Sequence, residues 1–154
     1  MLTEKKYAIK IDGHYIADFD HDGFKATDKI KNAMLLSAEK REMALKMLAV
    51  ITKPEYLDKI ESELVEITME QSDTADNYLI SFIGPKTGEK EYFVADSKTS
   101  ITSNSKFFYA KQMCKKVADA YYTILNYEME SGNFVAQDLK IEQVEIKYNI
   151  IKTL

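Results

Sequence analysis

Tyr7, Ile9 and Ile11 alternate with Ala8, Lys10 and Asp12, a period of two that predicts a half-buried strand. Asp12-Gly13 then supplies the residues of a tight primed turn, and Tyr15 to Phe19 reads as the returning strand. Further on, Met43, Ala44, Met47, Leu48 and Ile51 recur at helical spacing behind Ser37, which suits the cap position. Lys53-Pro54 interrupts that helix, and Pro54 fits the first turn of a short second one. Leu64 to Glu70 alternates again as a third strand. The polar run Gln71 to Asn77 is a turn, and the boundary between two halves, 1–72 and 73–154, is placed there.

The second half repeats the order. Tyr78 to Ile83 and Tyr92 to Asp96 are strand-like and flank the hairpin loop Gly84-Pro85-Lys86-Thr87-Gly88. Phe107, Ala110, Cys114, Val117, Ala118, Tyr121, Ile124 and Leu125 follow the 3.6-residue period, so one long helix is expected there, ended by Gly132. Val144, Ile146, Tyr148 and Ile150 alternate with polar neighbours as a last strand. Ile60 to Ile67 also lies beside Ile141 to Ile146 in pattern. The expected fold is α+β: two related strand-strand-helix-strand units whose antiparallel sheet packs against two main helices, sharing their burial because a half of this size is marginal alone.

Composition narrows the classes. The chain has 154 residues, 45% hydrophobic and 30% charged, with a net charge of -4. That balance excludes collagen, a disordered tail and a disulfide scaffold. The single cysteine, Cys114, can form neither an intramolecular disulfide nor a zinc site of thiolate type, and it falls on the apolar stripe of the expected long helix, where a buried thiol is predicted. Lys and Arg are mixed with acids along the chain, which argues against direct nucleic-acid binding. No apolar run approaches the length a membrane helix needs, and Met1 to Lys6 leads into no signal-peptide core. A cytoplasmic protein is expected.

Lys6 to Ile16, with Phe24-Lys25-Ala26-Thr27 and Asn32-Ala33-Met34, resembles small uncharacterised proteins carried by phages and prophages of Gram-positive bacteria. The resemblance extends over about the first fifty residues and, more loosely, Tyr92 to Ala118. It implies hairpin-plus-helix units and, because many such accessory proteins bind a host protein, inhibitors of CRISPR nucleases among them, a host protein as partner. It carries over no functional residue.

Asp18-Phe19-Asp20-His21-Asp22-Gly23 matches the first half of a calcium loop, where alternate carboxylates converge on a hard cation. The second half departs from it: Lys29 stands where a bidentate Glu should close the site. The same cluster, Asp18, Asp20 and Asp22 with Asp12 and Asp28, would also present a row of carboxylates to a basic partner. His14 and His21 are the only histidines, both on expected turns, and no Gly-rich phosphate loop exists. Adjacent residues on a helix cannot share one face, so one each of Phe107-Phe108 and Tyr121-Tyr122 should turn outward, and Tyr109, Tyr122 and Tyr127 are spaced to share part of one face. These features point to a non-enzymatic binding protein without cofactor, which engages a host protein such as a defence nuclease by occupancy through Asp18, Asp20, Asp22 and Asp28 and the tyrosines 109, 122 and 127. The alternatives are a calcium-binding module through Asp18, Asp20 and Asp22, and a self-associating structural protein, a homodimer being open in either case.

Overall fold

Asp12 and Gly13 both take positive φ, 50° and 81°, and join Ile11 to His14 in the first hairpin. In a computed structural model that describes residues 1–20, 22–96 and 100–154, with the side chain of Asp20 outside that description, this turn links β1 (Leu2–Ile11) to β2 (His14–Asp20). Five residues follow as β3 (Gly23–Thr27), paired antiparallel to β2. A 3-10 turn, Ile30–Asn32, precedes α1 (Ala38–Ile51), and a second one with Pro54 in its first turn, Pro54–Lys59, leads into β4 (Ile60–Gln71). The second half runs β5 (Tyr78–Ile83), β6 (Lys90–Asp96), β7 (Ile101–Asn104), a 3-10 turn at Phe107–Tyr109, α2 (Lys115–Glu130) and β8 (Gln137–Thr153). The fold is α+β, an eight-stranded antiparallel sheet in the order β3-β2-β1-β4-β8-β5-β6-β7 with two main helices.

The chain divides into two compact units, Leu2–Thr68 with Lys147–Leu154, and Met69–Ile146 with Met1. In the first, Ile9, Ile11 and Ile16 of the strands meet Leu36 and the helix residues Ala44 and Leu48. Leu36 and Tyr7 exchange backbone hydrogen bonds of 2.8 Å, which fixes the segment entering α1 against β1. The last residues of β8 belong to this unit, where Ser62 and Leu154 donate to each other's carbonyls. In the second unit, Ile80 and Phe93 meet Met113, Ala118 and Leu125, with Tyr121, Tyr122 and Phe134 packed around them.

Several expectations change. Each half holds a fourth strand, β3 or β7, that alternation did not reveal, because edge strands such as Gly-Phe-Lys-Ala-Thr and Ile-Thr-Ser-Asn carry few apolar residues. The long helix expected from Phe107 begins only at Lys115. Phe107 to Tyr109 form a 3-10 turn, and Met113 bridges back to Tyr78. Phe107 and Phe108 are therefore both buried, their rings edge to face at 5.7 Å, since residues of a 3-10 turn are not bound by α-helical facing. Cys114 is exposed at the N-cap of α2 and not buried on its stripe. Val117 and Ile124 also face outward, and in α1 Met43, Met47 and Ile51 are exposed while Ala44 and Leu48 are buried.

Candidate functional site

β2 and β3 carry the acidic residues. Phe19 pairs with Phe24 across the ladder, Asp18 with Lys25, and the register shifts between Ile16 and Asp18. Gly23 takes φ 141°, a backbone that side chains rarely adopt. Asp18, Phe19, Asp22, Gly23, Phe24 and Lys25 line an open hollow of about 230 Å³. The hollow brings together two carboxylates, two aromatic rings and the side chain of Lys25. The hairpin tip at His21 lies outside the described residues, as does the side chain of Asp20, so the calcium set Asp18, Asp20 and Asp22 is not described together. Among the described residues, no three His, Cys, Asp or Glu side chains gather as a metal site.

Asp28 stands apart from that hollow and pairs with His14, Nδ1 to Oδ1 2.5 Å, both groups well exposed. A pair so exposed adds at most about 1 kcal/mol. Asp12 lies 3.7 Å from the Lys59 ammonium.

The three tyrosines are not brought together on one helix face. Tyr109 sits in the 3-10 turn ahead of α2, its ring 4.4 Å from Phe108, and Tyr122 packs toward the core. Tyr127, 65% exposed, does stand on the outer side of α2, with Val117 and Ile124. The reason is the phase of the helix: Ala118, Tyr121, Tyr122 and Leu125 form its inward stripe, leaving Val117, Ala120, Ile124 and Tyr127 outside. On α1, Met43, Met47 and Val50, the last 83% exposed, form the corresponding outer face. On each helix, taken by itself, these apolar side chains share one face and are more than scattered exposure.

Two buried glutamates complete the inventory of chemistry. Glu63 on β4, 5% exposed, accepts a 2.6 Å hydrogen bond from the hydroxyl of Tyr15. Burial first, and then this bond and the charge of Glu63, push the Tyr15 hydroxyl up to about 12. Glu142 on β8, 7% exposed, accepts from Lys90 Nζ at 2.9 Å and Gln71 Nε2 at 3.0 Å. Burial opposes its charge, yet Lys90, the nearby Ser81 hydroxyl and Gln71 together hold its carboxyl below the usual range. Glu142 raises Lys90 in turn against the effect of burial. The second oxygen, Oε2, and Ser81 Oγ are both buried without a well-formed hydrogen bond.

Neither glutamate was singled out in the sequence, although the signal existed. Glu63 is in phase with Val65, Ile67 and Met69, and Glu142 with Val144, so a carboxylate falls at an inward position of an alternating strand. No family model, no curated protein and no solved structure matches the chain.

Proposed function

We propose that the protein acts by binding another protein, without performing chemistry on it. One observation carries this reading: Met43, Met47 and Val50 form an apolar face on the outer side of α1. Methionines adapt to a partner's shape because they are unbranched and polarisable, which suits a surface that must accept a foreign side-chain pattern. The hollow lined by Asp18, Asp22 and Lys25 supports it with a second contact of different chemistry, where Asp18 would meet a Lys or Arg of the partner. The partner would present an apolar segment and a basic side chain. The resemblance to phage accessory proteins directs the first candidates to host defence proteins, CRISPR nucleases among them, blocked by occupancy.

We also infer that the two halves descend from one repeated unit. The support is a constant spacing of 77 positions: Tyr15 and Tyr92, Ile16 and Phe93, Ala33 and Ala110, Leu36 and Met113, Ser37 and Cys114, Leu48 and Leu125. At these places the details recur, from the register shift after Ile16 or Phe93 to the backbone bonds of Met34 to Ile16 and Lys111 to Phe93.

The test of binding is capture from bacterial lysate in chelator by the tagged chain and by its Met47→Glu and Asp18→Lys variants, followed by titration of the purified partner. Binding is supported by a stoichiometric protein that the wild type retains and Met47→Glu loses, with Asp18→Lys weakened at least several-fold. Retention equal for all three chains, or nothing retained, overturns it.

A further inference from the structure

The charges of α2 run against its own dipole. The positive end of a helix favours acidic residues and the negative end basic ones, yet the first turn of α2 holds Lys115 and Lys116 with no acid, and its last turn holds Glu128 and Glu130 with no base. Its N-terminus lacks a side-chain cap as well, since Cys114 makes no such bond. Only the pair Lys115–Asp119, at 3.4 Å, offsets part of this within the helix. A local pattern that costs stability at both ends calls for a compensating contact elsewhere.

We propose that the outer face of α2 docks on the same face of a second copy of this chain, the two helices antiparallel about a two-fold axis that crosses this face at the level of residues 122 and 123 along the helix. In that arrangement the basic start of each helix lies beside the acidic end of the other, and the unfavourable pattern becomes attractive at both ends. The apolar positions match by the same operation. Val117 meets Tyr127 of the second copy, and Ala120 meets Ile124, the small residue leaving room for the large one. Lys116 and Glu130 lie on the same flank of the stripe, and in antiparallel helices equal flanks face each other, so Lys116 of one copy reaches Glu130 of the other, twice.

α1 does not share this self-complementarity, although its apolar face is placed alike. The centre of its stripe, between Met43 and Val50, is next to Lys46, and a two-fold there sets that ammonium against its own copy. The two faces thus suit different occupants. A single helix face makes a small interface, so the dimer should form in the micromolar range and weaken with salt.

The experiment is sedimentation equilibrium of the full chain over a wide concentration range, with helical content and melting followed for every variant. The wild type should show a reversible monomer–dimer equilibrium that Ile124→Glu abolishes and Met47→Glu leaves alone. Lys116→Glu and Glu130→Lys should each weaken it roughly tenfold, because each reversal acts twice across the axis. The double variant Lys116→Glu/Glu130→Lys should recover most of that loss, a rescue no merely structural role would give. A monomer at every concentration overturns the proposal, as does a dimer indifferent to Ile124→Glu, or a double variant no tighter than the singles.

Discussion

Glu63 and Glu142 both stand buried at inward positions of a strand, on β4 and β8, and the surroundings that hold them differ. Glu63 is answered by a neutral donor, the hydroxyl of Tyr15, whereas Glu142 is answered by the ammonium of Lys90 and the amide of Gln71. Tyr92, 77 positions after Tyr15, is buried as well, with Lys90 Nζ 5.4 Å from its ring centre. A buried carboxylate can therefore be kept in one architecture either by a hydroxyl or by a counter-ion. The difference lies in what is lost when the partner is removed: a hydrogen bond in the first case, charge neutralisation in the second.

Lys90→Met has the largest expected effect, because it leaves Glu142 buried without its cation. The expected cost at pH 7 is about 3 kcal/mol, toward the lower end for stranding a buried charge because Lys90 is itself 39% exposed. The pH profile gives the sign. In the wild type the Glu142 carboxyl lies below its ordinary 4.5, so its contribution is present above about pH 4.5 and disappears as pH falls through the folded value. In the variant burial dominates, the carboxyl moves upward, and acidification should recover part of the lost stability. Urea denaturation at neutral and mildly acidic pH measures both effects, and an equal deficit at both pH values contradicts the argument.

Tyr15→Phe removes only a hydrogen-bond donor from Glu63 and should cost about 1–3 kcal/mol. The native hydroxyl keeps its proton up to about 12 while the unfolded one loses it near 10. The wild type thus loses stability as pH rises between 10 and 12, and the variant should lack that increment in alkaline melting curves.

The smallest effect lies at the helix starts. Ser37 and Cys114 have nearly the same backbone, φ/ψ -67°/166° and -72°/165°, but only Ser37 accepts a hydrogen bond, from Lys40 N–H. Ser37→Ala should cost about 1 kcal/mol, and Cys114→Ser should add about 0.5 kcal/mol by creating the missing cap. Opposite shifts in melting temperature would confirm that the two positions are equivalent in backbone and unequal in chemistry.

Much of the fold was legible. Alternation located six of the eight strands, Asp12-Gly13 the first turn, Ser37 the start of α1 and Gly132, at φ 81°, the region where α2 ends. The helix faces were not. Met43 and Met47 form an i,i+4 pair as good as Ala44 and Leu48, and α1 is apolar on too many sides for spacing to say which pair turns inward. Of the candidate residues, Asp18 and Asp22 do share a hollow, whereas Asp28 and the tyrosines were grouped on sequence spacing that the backbone does not follow.

Short-range forces, and so the amino-acid order alone, set the turns that need positive φ, the alternation of most strands and the cap of α1. Long-range packing chose which helix stripes are covered, made the run before Cys114 bridge to Tyr78 instead of continuing as helix, and paired the chain end after β8 with the start of β4. Those outcomes depend on partners distant in the chain. A backbone hydrogen bond or a buried side chain is worth its energy only once such a partner is present, and local pattern carries no record of which one that will be.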